Sequence, residues 1–225
     1  MRKPLYLGVL LLVSRWALAD DYVESLKAKV PFYQVMTGRF APLYEPLARQ
    51  MVEDYQLRRG IAVDVGSSCG AFSMELARKT QMTVYALDID VWAVRLCGVL
   101  VDQAGLTGRV IPIEGDALRM PFKSNFADFV FSRGSIPFWP DQVRGLKECY
   151  RILKPGGVAY IGGGFGRLLA SEVRAPLVKE RLSWKTTPEG WHDISDLGQK
   201  AKAAGIANSK LIKEPDVGWW LEIRK

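Results

Sequence analysis

Two carboxylates and two glycines carry the clearest chemistry in this chain. The run Ile61-Ala62-Val63-Asp64-Val65-Gly66-Ser67-Ser68-Cys69-Gly70 is an apolar segment that ends in an acid and a glycine-bearing turn. A second apolar run, Val84-Tyr85-Ala86-Leu87-Asp88, also closes on an acid. Together they describe a strand, a tight turn, a helix and a second strand, with Asp88 at the tip of the second strand. A carboxylate there can accept hydrogen bonds from both hydroxyls of a ribose, so the unit suits a nucleoside-containing ligand. A dinucleotide needs Gly-x-Gly-x-x-Gly around its pyrophosphate. The spacing Gly66-x-x-x-Gly70 lacks the third glycine that would open the helix.

The other reactive residue types offer less. Cys69, Cys97 and Cys149 have no paired spacing and build neither a zinc knuckle nor a Cys-x-x-Cys pair. They read as small buried residues, and a catalytic thiol at Cys69 has no histidine near it in sequence. His192 is the only histidine and reads as a surface residue. No metal site is expected. The net charge of +7 lies partly on Arg2, Lys3 and Arg15, ahead of the first acid at Asp20. No basic run follows that would track a phosphate backbone, so nucleic acid is not an expected partner.

The positioning elements follow from periodicity. A chain of 225 residues with 48% hydrophobic content buries one substantial core. The spacing predicts a helix over 42–55, with Leu43, Leu47, Met51 and Tyr55 on one face. Strands are predicted over 61–65, 83–87, 109–113, 127–132 and 158–161, and helices over 71–79, 91–103, 141–153, 168–182 and 194–204. Lys154-Pro155-Gly156-Gly157 reads as a sharp turn. Short β segments at 211–213 and 218–224 predict a terminal antiparallel pair. The expected fold is therefore α/β and Rossmann-like, a mostly parallel sheet with helices on both faces. Ahead of it, Met1-Arg2-Lys3, apolar Leu5–Val13 and Ala17-Leu18-Ala19 before Asp20-Asp21 form a signal-peptide-like segment over 1–19. Its alternative is an uncleaved extension. The apolar run is short for a membrane span, so no stable span is expected, and 20–225 reads as one domain.

Four motifs stand in register: Asp64-x-Gly66-x-x-x-Gly70, Leu87-Asp88, Gly115-Asp116-Ala117-Leu118-x-x-Pro121-Phe122, and Arg151-Ile152-Leu153-Lys154-Pro155-Gly156-Gly157. In this order and spacing the chain resembles the class I S-adenosylmethionine-dependent methyltransferases, and within them the small-molecule group of ubiquinone and menaquinone biosynthesis. The resemblance runs from about Phe40 to the C-terminus. It implies S-adenosylmethionine as cofactor, held by Asp64, Gly66, Ser67, Ser68, Gly70, Asp88 and Ile89, then by Gly115, Asp116, Ala117 and Ser132. Asp116 and Ala117 match positions beside the adenine. Gly66 and Gly70 let the backbone approach the methionine part, where a Cβ would intrude. Asp64 either holds the turn or reaches the cofactor's ammonium group. The chain departs from the pattern at Ser68, which replaces the usual middle glycine; serine fits there at negative φ.

The resemblance implies methyl transfer to a small-molecule acceptor, facing the segment after the fourth strand. That segment offers Ser132, Arg133, Ser135, Phe138 and Trp139, without the Asn-Pro-Pro-Tyr type of motif used on nucleic-acid amines. Arg133 either binds an anionic acceptor or caps a chain end. Trp139 either walls the acceptor's pocket or fills the core. Phe40 and Tyr44 either close over the cofactor or pack their helix. The other reading of the whole chain is a protein that binds S-adenosylmethionine without transferring its methyl. Export favours that reading; the cytosolic supply of the cofactor favours a cytoplasmic enzyme.

Overall fold

The computed structural model describes residues 20–182, 189–214 and 218–225. The signal-like segment over 1–19 lies outside them. Seven strands form one sheet: β1 (Arg59–Val65), β2 (Gln81–Asp88), β3 (Val110–Glu114), β4 (Ala127–Arg133), β5 (Leu153–Gly164), β6 (Ser209–Glu214) and β7 (Gly218–Arg224). Their order is β3-β2-β1-β4-β5-β7-β6. The first five strands pair in parallel, and β7 runs antiparallel between β5 and β6. The strand order reverses between β1 and β4, and the crevice at such a switch point is where α/β sheets bind ligands.

Alternation along the strands gives the sheet two buried faces. One face carries Ala62, Val84, Phe129, Phe131 and Tyr160 under α3 (Ala41–Tyr55), α4 (Ala71–Lys79) and α7 (Ser171–Leu182). The other carries Val63, Val65, Val130 and Ile161 under α6 (Gln142–Ile152) and α8 (Leu197–Ala203). α5 (Val91–Gln103) starts at Asp90, whose carboxylate accepts the Trp92 N–H at 2.8 Å. No helix among the described residues is long and apolar enough to cross a membrane.

Three expectations need correcting. Lys154-Pro155-Gly156-Gly157 does not separate α6 from β5 as a free turn; it falls within the β5 span as a bulge, since Leu153 pairs with Ala127 and the next β4 pair is Phe129 with Val158. The C-terminus explains this: Gly156 N–H donates to Lys225 O and Lys225 N–H donates to Gly157 O, at 2.7 and 3.1 Å. Gly156 absorbs the local irregularity at φ 81°. The helix expected over 168–182 starts at Ser171, and that over 194–204 shrinks to Leu197–Ala203. Ahead of Phe40, where sequence reading assigned nothing, residues 20–29 form a helix (α1) and Tyr33–Thr37 a short one (α2). Val23, Leu26 and Val30 of this segment pack with Cys69, Ala93 and Leu96, and the Lys29 ammonium sits 3.8 Å from the Trp92 ring centroid. The N-terminal helices therefore cover α5 and the glycine turn.

Candidate functional site

The glycine turn is tied to the tip of β2. Gly66 and Ser67 both donate their N–H to Leu87 O, at 2.8 and 3.0 Å. Ser68 donates its N–H to Asp88 Oδ2 at 2.7 Å, and Asp90 donates to Asp88 Oδ1 at 2.9 Å. Ser68 takes φ +49°, not the negative φ expected of a serine. The Asp88 hydrogen bond holds it in this left-handed region, which costs a non-glycine residue on the order of 1 kcal/mol. Each Asp88 oxygen keeps lone pairs for further donors. Burial pushes the Asp88 pKa up, and the amides of Asp90 and Ser68 partly counter it.

Gly66 and Gly70 take φ of 72° and 79°, and their Cβ directions are filled by the protein itself. A Cβ on Gly66 would collide with Ser135 Oγ, and one on Gly70 with Cys97 Sγ. Both the positive φ and this side-chain packing require glycine at the two positions. Gly70 caps α4, and Met74 donates to its carbonyl at 2.9 Å.

Asp64 is 4% exposed. It accepts from Ser73 Oγ at 2.7 Å, and the Ser73 backbone amide adds to that hydrogen bonding. Burial raises its pKa to about 7 against the pull of Ser73, and the nearby Asp88 charge adds to the rise. Ser67 Oγ and Ser132 Oγ are buried without a hydrogen-bond partner. Unpaired buried hydroxyls are uncommon in folded proteins, and these two stand at the carboxyl ends of β1 and β4. Across the β2–β3 edge, Gly115 donates its N–H to Asp88 O at 2.9 Å. Its position against Leu87 and Pro121 leaves little room for a Cβ. Asp116 is exposed and turns its carboxylate onto the Leu118 N–H, 2.8 Å away. Ala117 is half-buried, and Ile89 is 71% exposed directly after Asp88.

Arg133 ends β4 on the Asp64 face of the sheet. Its Nε donates to Gly164 O at 2.8 Å, and its guanidinium lies 5.1 Å from the Phe40 ring centroid and 5.8 Å from that of Tyr44. Trp139 is 5% exposed and packs in the core over Gly145 of α6. Its Nε1 donates to Ser135 Oγ at 2.9 Å, so it holds the residue that stands against Gly66. All three cysteines are free and buried. Burial raises the Cys69 and Cys97 thiols to about 11 and 12, which keeps them protonated at neutral pH.

Two neighbours of the site were not legible in sequence. Exposed Phe32 follows α1 and lies 6.4 Å from Phe138, which is 5.6 Å from Trp191. The adjacent His192 donates its N–H to Pro137 O at 2.6 Å, bringing that segment against the loop after β4. Only long-range packing joins positions so far apart in the chain.

The fold and this site define a doubly wound α/β protein with a carboxylate-locked turn at its switch point, an arrangement suited to a nucleoside ligand. Residues 63–161 match the methyltransferase domain family. The chain is 30% identical to a protein of Methanococcus maripaludis assigned as an S-adenosyl-L-methionine-dependent methyltransferase. That likeness covers 85% of this chain and 89% of the other, with a TM-score of 0.76. The chain belongs to the S-adenosylmethionine-dependent methyltransferase family. It is 53% identical over 51 residues to the chloroplastic 2-methyl-6-phytyl-1,4-hydroquinone methyltransferase of Spinacia oleracea, covering 23% of this chain and 15% of that protein. It is 30% identical over 127 residues to the demethylmenaquinone methyltransferase of Lactiplantibacillus plantarum, covering 56% of this chain and 51% of that one. The match thus spans about half the length of the second relative and a smaller part of the first.

Proposed function

We propose that this protein transfers the methyl group of S-adenosylmethionine to a small-molecule acceptor. The observation that carries the reading is the Asp88 carboxylate, fixed by the Ser68 and Asp90 amides at the tip of β2 with lone pairs left for a ribose. The unpaired buried hydroxyls of Ser67 and Ser132 support it, because a polar ligand at the switch point would satisfy them. In this reading Asp64, Gly66, Ser67, Ser68, Gly70 and Ser132 border the methionine end of the cofactor. Asp88 and Ile89 take the ribose side, and Gly115, Asp116 and Ala117 the adenine side.

The bound cofactor supplies an electrophilic methyl on a sulfonium. The chain's own task is to align an acceptor with it and exclude water. Arg133 is the charged group on the acceptor side, at the end of β4. Trp139 acts there by fixing Ser135 against the turn. Nucleic acid and a divalent ion have no role in this reading. Hydroquinones and demethylmenaquinone are the first acceptors to try, because the two named relatives are a 2-methyl-6-phytyl-1,4-hydroquinone methyltransferase and a demethylmenaquinone methyltransferase.

Calorimetry with S-adenosylmethionine and S-adenosylhomocysteine tests the site, and labelled methyl transfer to hydroquinones, phenols, amines and thiols tests the reaction. Absence of nucleoside binding would sink the proposal. Binding without transfer across the panel would favour the cofactor-binding reading without catalysis. We also retain the export reading of the first 19 residues. It requires the native protein to begin after Ala17-Leu18-Ala19, which mass spectrometry of its N-terminus decides.

A further inference from the structure

Arg133 and Tyr44 are an unmatched pair. Arg133 spends one N–H, on Gly164 O. Among the described residues no carboxylate forms an ion pair with it. Its guanidinium otherwise lies over the faces of Phe40 and Tyr44. Partial desolvation lowers its pKa from the ordinary guanidinium value. Arg133 is half-buried, and a partly desolvated guanidinium gains from an anion that compensates it. Tyr44 is 5% exposed, and its hydroxyl is buried without a hydrogen-bond partner. That hydroxyl shares its surroundings with Arg133, Cys69 and Asp64. Burial raises its pKa to about 12, so at neutral pH it is a donor. Two independent features, a cation without an anion and an idle phenol beside it, call for the same thing.

We propose that Arg133 and Tyr44 form a carboxylate-binding niche on the β4 side of the glycine turn. The guanidinium offers its two outer nitrogens in a planar fork, which matches a carboxylate in two-point contact. The Tyr44 hydroxyl donates to the same group. Phe40 covers the guanidinium, and Phe165 packs edge-on against Phe40 at 6.2 Å, which fixes the cover in place. Gly164 O sets the direction of the fork through Nε. A carboxylate reaches this niche from one of two sources, the amino-acid tail of the cofactor or an anionic acceptor. The first source rests on the cofactor reading given above.

The test measures binding to wild type, Arg133→Met and Tyr44→Phe. The probes are S-adenosylhomocysteine and 5′-methylthioadenosine, which keeps the adenosine thioether and lacks the amino-acid tail. If the cofactor's tail fills the niche, each variant weakens S-adenosylhomocysteine by about tenfold or more, the scale of a lost charge-assisted hydrogen bond. Affinity for 5′-methylthioadenosine then stays within about twofold. If an acceptor fills it, S-adenosylhomocysteine binds all three proteins alike. Benzoate, added at millimolar concentration and followed by ligand-observed NMR, then binds the wild-type complex and neither variant complex.

Tyr44→Phe separates recognition from folding, because deleting an unpartnered hydroxyl leaves the melting temperature of the empty protein equal or higher. A clear fall in melting temperature, or an equal loss of both nucleosides, would show a structural role and overturn the niche. Unchanged binding of every probe would overturn it too. If wild type binds neither nucleoside, the cofactor reading has failed by itself. Benzoate titrated into the empty protein then decides the niche: binding that needs Arg133 and Tyr44 supports it, and any other result refutes it.

Discussion

If Asp64 borders the cofactor as proposed, binding should depend on pH. The carboxyl is buried, is hydrogen-bonded by Ser73, and has its pKa raised to about 7 by burial first, with Asp88 adding to the rise. Tyr44 and Cys97 are the other titratable groups that sense it, and both are neutral below pH 8. In the proposed complex the ionised carboxylate faces the ammonium group of the cofactor's tail. Binding then selects the ionised form, and the protein must lose a proton to bind at lower pH. With a pKa of about 7, roughly three-quarters of the carboxyls are ionised at pH 7.5 and about 3% at pH 5.5. The affinity for S-adenosylhomocysteine should therefore fall roughly 25-fold over that interval, about 2 kcal/mol. Titration calorimetry in buffers of different ionisation enthalpy reads both the affinity and the proton released. Asp64→Asn should bind more weakly at pH 7.5 and lose most of the slope. A flat wild-type profile would refute the reasoning, as would a slope that survives in Asp64→Asn, which would transfer the effect to Asp88.

The empty protein should show the opposite face of the same carboxyl. A folded pKa above the unfolded value means that the native state binds more protons between about pH 4 and 7, so this group's contribution to stability rises as pH falls through that window, by up to about 1.4 kcal/mol per unit. Urea unfolding of wild type against Asp64→Asn isolates it, and a difference that does not vary with pH would contradict it. Asp88→Ala should weaken S-adenosylmethionine by roughly 1–3 kcal/mol, since it removes hydrogen bonds to a charged group and frees the Ser68 amide; calorimetry on the folded variant checks this. Gly66→Ala should destabilise by about 1–3 kcal/mol through its collision with Ser135. Adding Ser135→Gly should recover part of that loss and leave the cost of the positive φ, as measured by a double-mutant unfolding cycle; independent, additive effects would exclude the collision.

The sequence by itself determined the alternation of strands and helices and the strand–turn–helix–strand unit from Asp64 to Asp88. Each piece is short and repeats with its own period: apolar runs for strands buried on both faces, fourfold spacing in α3, and a glycine turn whose carboxylate partner lies in the next strand. Local signals suffice there because the interacting residues are neighbours in the chain or in consecutive strands. Tertiary structure decided the rest. Lys154-Pro155-Gly156-Gly157 has turn composition, yet Lys225 pairs it into β5. Ser68 adopts a glycine-like φ because Asp88 holds its amide. Gly66 must be glycine because Ser135 stands against it. Helices over 20–37 follow from the apolar surface of α5 that they cover; the spacing of Val23, Leu26 and Val30 was their one local trace. Sequence alone allows Trp139 to be either pocket wall or core residue, and its packing over Gly145 puts it in the core. Arg133 could be named as a cation from sequence, but its lack of an anion could not be. That depends on Phe40, Tyr44 and Gly164 meeting it from two other elements, and no periodicity along the chain encodes which charges the folded interior leaves unpaired.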